Sequence, residues 1–206
     1  MTVTYLKPRQ WNQSLQVSLF MKLWDQPLTE DQAATLKAKA PMSQKRSAFG
    51  NLNIEGTPFP SQSCLASRFH PDFVSVLEPG VIELVEAVGV HHNLITYTSC
   101  EGHHYHHPET ANDERHVGIL SRDKAEHAAV LRLFEAAAAF INRTGNNTPV
   151  EGALMDHGVS DGDRVYPAAD LYLVKRDGFS WAAYFDAVDA VCAALCGYLF
   201  DQEPIA

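Results

Sequence analysis

The stretch 98–116, TSCEGHHYHHPETANDERH, holds one cysteine, Cys100, and five histidines, His103, His104, His106, His107 and His116. Seven of the ten histidines fall between His91 and His116, so the imidazoles are concentrated in one part of the chain. Cys100 and His103 have the Cys-x-x-His spacing, in which two intervening residues let one turn aim a thiolate and an imidazole at the same point. That donor pair suits a borderline-soft divalent ion, zinc first. The spacing predicts a metal site with Cys100, His103, His104 and His116 as ligands, and Glu101 as the carboxylate that takes a proton from bound water. The sequence has no second Cys-x-x-Cys or Cys-x-x-His pair to close a structural zinc site, and no His-Glu-x-x-His helix.

Two other chemistries use the same residues. Cys100 stands where a strand gives way to a glycine-containing turn, a place where backbone N–H groups can face an oxyanion. His103 or His116 could then draw off the thiol proton, with Glu101 or Glu109 orienting the base, and Cys100 would be a nucleophile. The third reading is a non-catalytic binding or regulatory protein, whose loop is ordered by a metal or by a hydrogen-bonded histidine cluster. The leading expectation is a small soluble enzyme with a metal-dependent, hydrolytic site on loop 98–116. Arg46 and Arg68, in a long preceding loop, are expected to hold an anionic substrate.

The turn Thr98-Ser99-Cys100-Glu101-Gly102-His103 resembles, over these six residues, the Ser-Cys-x-Gly turn of the tRNA wybutosine-synthesis methyltransferase family 3. His103 stands where that family has arginine, and the acidic balance does not suit a tRNA enzyme, so no residue role is carried over.

The elements that must position these groups follow from periodicity. Leu94 to Cys100 alternates and is rich in Thr, Ile and Tyr, and 116–120 reads as a second strand; paired antiparallel, they make Cys100 and His116 neighbours. Val81, Leu84, Val85 and Val88 recur at helical spacing, with Gly89 expected to stop that helix in a left-handed cap. Asp123 with Glu126 three residues on predicts a capped helix over 123–143. Strands at 150–155 and 171–174 are joined through an Asp-Gly pair, which predicts a hairpin. The clearest stripe runs from Trp181 to Leu199, a helix over about 180–201 that takes Cys192 and Cys196 into the core. Toward the N-terminus the reading is a strand and an irregular segment over 1–27, a short helix at 29–40, and loop over 41–71.

The order of elements predicts an α+β fold, helices packed on a mixed or antiparallel sheet of about four or more strands. One domain spans 1–206, with 1–75 an N-terminal extension carrying the long loop and 76–206 the core. If the 123–143 helix crosses between parallel strands, Asp156 and His157 lie at the sheet edge opposite Cys100, and Asp161, Asp163 and Arg164 beyond them are turn residues or a second site. His91 and His92 would be nearer that second edge.

The formal charge of −9 disfavours general nucleic-acid binding, which needs a basic surface, and leaves small-molecule substrates or protein partners. The first twenty residues have no apolar run followed by a small-residue cleavage site, and no apolar run approaches eighteen residues, so the expectation is a cytoplasmic protein with no membrane association. Four irregularly spaced cysteines, Cys64, Cys100, Cys192 and Cys196, are expected as reduced thiols.

Overall fold

A computed structural model describes residues 3–7, 17–27, 29–31, 68–69, 73–74, 77–104, 113–144, 147–161 and 164–205. Among these, three helices pack against a five-stranded mixed sheet, an α+β domain. The strands are β1 (Thr4–Tyr5), β2 (Ile95–Cys100), β3 (Arg115–Leu120), β4 (Val150–Asp161) and β5 (Arg164–Lys175). The helices are α1 (Val17–Trp24), α2 (Lys124–Thr144) and α3 (Trp181–Phe200). Spatial order is β1-β4-β5-β3-β2, with only the β1–β4 pair parallel. Because β3 and β4 both run antiparallel to β5, they are parallel to each other, and α2 is the crossover between them.

Alternation along the strands assigns the two faces. Gly152 and Leu154 on β4, Leu171 and Leu173 on β5, and Val117 and Ile119 on β3 turn one face toward α2 and α3. A Cβ on Gly152 would stand 2.7 Å from the Ala138 Cα, so the missing side chain is what lets α2 lie directly on β4. Asn142 of α2 fixes that contact, accepting from Gly152 N at 2.8 Å and donating to its carbonyl at 3.1 Å. The opposite face carries a smaller apolar cluster of Ala153, Met155, Tyr172 and Val174.

Helix α2 buries Val130, Phe134, Ala137, Ala138 and Ile141. Asp123 Oδ1 caps it, accepting from Ala125 N at 2.8 Å and Glu126 N at 2.9 Å, while the Glu126 carboxylate takes the Arg122 N–H. Helix α3 starts at Ser180, whose hydroxyl accepts from Ala183 N at 3.1 Å, and buries Tyr184, Val188, Cys192, Leu195, Cys196 and Leu199. Its 20 residues are long and apolar enough in composition to cross a membrane, although no uninterrupted apolar run marks it; the same composition serves a helix whose inner stripe is core. Tyr184 pins α3 to the sheet: its hydroxyl donates to Leu173 O at 2.7 Å and accepts from Arg115 N at 2.9 Å.

Several expectations change. The 1–27 stretch contains a helix, α1, where an irregular segment was expected, because Val17 and Trp24 are buried. The 79–91 segment begins as a 3₁₀ turn, passes through one α turn and widens to a π turn over Glu86–His91. Gly89 does not end it: it lies inside the π turn, where an added Cβ would meet Thr96 Cγ2 at 3.3 Å. The left-handed position that follows belongs to Asn93, at φ 56°. The hairpin register runs to the Asp161–Arg164 pair, longer at both strands than predicted. The expected helix at 29–40 and loop at 41–71 lie almost wholly outside the described residues, as do Arg46 and Cys64.

Candidate metal centre

The Cys100 end of β2 is set by one extra residue. Ile95 pairs with Leu120 and Thr96 with Ile119, but Thr98 pairs with Gly118, leaving Tyr97 as a bulge. An unbulged strand would place Cys100 opposite Arg115; the insertion places it opposite His116 and so on the other face of the sheet. After Cys100 the chain reverses at Gly102, whose φ of +85° belongs to the left-handed region and suits glycine. His103 then bridges back to Asp113 through two backbone hydrogen bonds, at 2.9 and 3.0 Å. That short bridge holds His103 beside Cys100.

A carboxylate arrives from the 79–91 segment. Glu78 sits at its N-cap position, yet makes no capping bond to its own segment. Its Oε2 instead accepts from Glu101 N at 2.7 Å, and the Glu101 Oε2 in turn accepts from Gly80 N at 2.9 Å. The two carboxylates are exchanged between the segments, which clips the start of 79–91 to the end of β2. The exchange turns Glu78 Oε1 toward His103 Nε2, at 3.0 Å.

Glu78, Cys100 and His103 therefore form one group, with a carboxylate oxygen, the thiol sulfur and a ring nitrogen all within 4.8 Å of one another. Glu78 and His103 are buried and Cys100 half-buried. Hydrogen bonds to Cys100 and to Glu78 outweigh burial and lift the His103 imidazolium to about 10. Gly102 N adds a long contact to Cys100 Sγ at 3.4 Å.

The distances separate two chemistries. In a nucleophile–base–carboxylate relay the imidazole uses opposite nitrogens, which puts the thiol sulfur roughly 7 Å from the carboxylate oxygen. Donors around a single zinc ion at about 2.0–2.3 Å lie roughly 3–4 Å apart. Three atoms mutually within 4.8 Å match the converging set.

Of the predicted ligands, Cys100 and His103 belong to the converging group, and His104 and His116 do not. His104 stacks on Phe185 of α3, centroids 5.2 Å apart. His116 is Cys100's register partner, as expected, but its ring stacks on Tyr172 at 4.8 Å, with Nε2 3.5 Å from Thr98 Oγ1. Glu101 engages Gly80 N and lines a cleft on the helix-bearing side. Arg68 contacts Asp25 at 3.4 Å and Gly89 O at 3.2 Å, and so belongs near the start of β2, the end remote from Cys100. His106, His107 and Glu109 lie outside the described residues. Sequence reading missed Glu78; its one signal is a glutamate directly before Pro79-Gly80, which reads as an ordinary helix start.

The second cluster divides as its geometry requires. Asp156 and His157 lie level with Ala169 and Ala168, at the end of the sheet away from Cys100, and face opposite ways. Asp156 meets His127 Nε2 at 3.0 Å, and His127 Nδ1 lies 3.3 Å from Ser121 Oγ. That is a Ser-His-Asp array, but Ser121 is 0% exposed, so its oxygen reaches no substrate. His157 Nε2 lies 3.2 Å from Asp170 Oδ1 and 3.0 Å from Tyr97 OH, and that hydroxyl donates to the same Asp170 oxygen at 2.8 Å. Asp170 raises the His157 imidazolium above its ordinary value, against the burial that lowers it. His91 and His92 bond instead to carbonyls at the end of α3, Gln202 O and Leu199 O, each at 3.0 Å.

No family model, curated protein or solved structure matches this chain.

Proposed function

We propose that the chain is a metal-dependent hydrolase, with a divalent ion, zinc before others, held by Glu78, Cys100 and His103. The observation that carries the reading is the convergence of carboxylate, thiol and imidazole within 4.8 Å. One oxygen, one sulfur and one nitrogen donor suit zinc better than magnesium or calcium, which take oxygen. Among the described residues His104 and His116 make stacking contacts, and in a catalytic site water would join the three protein ligands. Bound there, the metal would supply a water acidic enough to attack an ester or amide near neutral pH. The chain's own part is to hold the three donors in place: the Glu78–Glu101 exchange fixes the carboxylate, and the His103–Asp113 bridge fixes the imidazole. Glu101, whose backbone N–H holds Glu78 Oε2 while its own Oε2 accepts from Gly80 N, is the carboxylate proposed to take the proton.

The test is elemental analysis of untagged protein, followed by hydrolysis of p-nitrophenyl esters before and after chelation. The expected result is close to one zinc per chain, lost in Cys100→Ser and Glu78→Gln, with hydrolysis that stops on chelation and returns with zinc. Less than about a tenth of an equivalent, unchanged by either substitution, rejects the metal. One zinc with no hydrolysis favours a structural or regulatory metal. Rapid alkylation of Cys100 in protein that binds no metal favours the thiol enzyme.

A further inference from the structure

A cleft of about 530 Å³ opens between α3 and the 79–91 segment, on the helix-bearing side of the sheet. That volume lies within the roughly 300–1,000 Å³ of small-molecule sites. The charged side chains that line it are one guanidinium, Arg115, and three carboxylates, Glu83, Glu101 and Asp189. Arg115 is only 5% exposed, and two bonds fix its place: Nε donates to Glu101 O at 2.8 Å and Nη2 to Asp189 Oδ1 at 2.7 Å. Gly80 lies against the same group, where an added Cβ would stand 2.7 Å from Nη2. Two of the five guanidinium N–H donors are thus bonded to oxygen, and the others meet no oxygen or nitrogen acceptor among the described residues. Asp189 holds its share weakly, because its side chain is 81% exposed and solvent screens the pair. Glu101 is engaged with Gly80 N, whereas the Glu83 carboxylate makes no hydrogen bond or ion pair among the described residues. Phe185 and Val188 of α3 add an apolar wall.

The balance of charge selects the ligand. A phosphate or a dicarboxylate would meet three carboxylates on its way to one guanidinium, and a simple amine would bring a second cation beside Arg115. A molecule that carries a carboxylate and an ammonium on one carbon satisfies both signs. We propose that this cleft binds an α-amino acid with an apolar side chain, its carboxylate on the Arg115 guanidinium, its ammonium at Glu83 and its side chain against Phe185 and Val188. The planar guanidinium can donate two parallel bonds to a carboxylate, which fixes orientation as well as affinity. Arg115 is already held by its Nε bond to Glu101 O, so little side-chain freedom is lost when a ligand binds. Asp189 competes with the ligand carboxylate for the same donors, and its exposure makes it the partner that yields. None of this requires a metal at Glu78, Cys100 and His103.

The experiment is calorimetric titration of the full-length protein in EDTA with three probes: phenylalanine, phenethylamine, which lacks the carboxylate, and 3-phenylpropionate, which lacks the ammonium. Phenylalanine is expected to bind with a dissociation constant of about 1 mM or below. Phenethylamine should bind at least about tenfold more weakly, for loss of the bonds to Arg115, and 3-phenylpropionate at least about threefold more weakly, for loss of Glu83. Glu83→Gln, at an exposed position, should weaken phenylalanine by about threefold and leave 3-phenylpropionate unchanged. Asp189→Asn should move the other way for the carboxylate probe, tightening 3-phenylpropionate by about threefold as the competing charge is removed. No heat from phenylalanine up to about 10 mM, either truncated probe binding as tightly as phenylalanine, or Asp189→Asn weakening 3-phenylpropionate would each overturn the proposal. The comparison of probes is made on the wild-type chain, so it does not depend on a variant folding, and EDTA keeps its outcome apart from that of the metal.

Discussion

Glu78→Gln changes one atom and should be felt in two separate measurements. In the wild-type protein Glu78 Oε2 accepts from Glu101 N at 2.7 Å while Oε1 faces His103 Nε2 at 3.0 Å. A glutamine can keep only one of these as an acceptor. If its carbonyl stays on Glu101 N–H, its NH₂ group points at a protonated ring nitrogen, donor against donor. Losing one partner of a buried charged pair costs about 3 kcal/mol. For a chain of this size that corresponds to a fall of roughly 6–12 °C in Tm. The sign of the pH dependence follows from His103, whose folded-state pKa of about 10 lies above the unfolded value near 6.5. The stabilisation is fully present below the unfolded value and is lost as pH rises through about 10. The deficit of Glu78→Gln, measured by circular dichroism melting in EDTA, should thus be largest near pH 6 and shrink toward pH 10. Zinc competition against a chromophoric chelator gives the second reading, an affinity at least about a hundredfold weaker for want of the anionic ligand. A variant that melts with the wild type at every pH shows that the Glu78–His103 pair stabilises nothing. One that melts lower but holds zinc equally well removes Glu78 from the ligand set.

The other predictions concern the surroundings of the centre. His104→Ala and His116→Ala should each leave zinc affinity within about threefold of wild type, because their rings are stacked on Phe185 and Tyr172; a loss beyond about thirtyfold for either would restore it as a ligand. Gly118→Ala should destabilise by about 3 kcal/mol or more, since the new Cβ would sit 2.4 Å from Asp170 Oδ1 and 2.6 Å from Thr98 Cγ2; an unchanged urea midpoint would show that the Tyr97–His157–Asp170 group yields easily. Ser180→Ala should cost about 1 kcal/mol through loss of the α3 cap, and Ser180→Thr should recover most of it in the same urea titration.

The parts of this protein that its sequence made legible are those governed by short-range periodicity. The stripe from Trp181 to Leu199, the capped start of α2 and the alternation of β2 each follow from neighbours within a few positions, and the pairing of Cys100 with His116 came from joining two such strands. The misreadings have a common origin in tertiary packing. Gly89 looked like a helix stop because glycine favours left-handed backbone, but its bare Cα is needed where Thr96 and Trp24 press on the π turn. Glu78 was passed over because a glutamate before Pro-Gly is what an ordinary helix start looks like. Only the exchange with Glu101, 23 residues on, shows that its carboxylate is used elsewhere. Histidine density pointed to the turn where Glu78, Cys100 and His103 converge, but gave no sign of the stacking of His104 on Phe185 or of His116 on Tyr172.

The bulge at Tyr97 decides which charges share a face with Cys100. Without it, Cys100 would pair with Arg115 and share a face with a guanidinium that is almost fully buried. A fixed positive charge opposes a divalent cation, so such an arrangement would weaken the cation site proposed at Cys100, His103 and Glu78. The inserted residue turns Cys100 to the face of His116 and leaves Arg115 to Asp189 on the side of α3. The same strand end can then border the proposed cation site on one face and an arginine-lined cleft on the other. Such a division requires Arg115 to be held from its own side, and that is where its bonds to Glu101 O and Asp189 hold it.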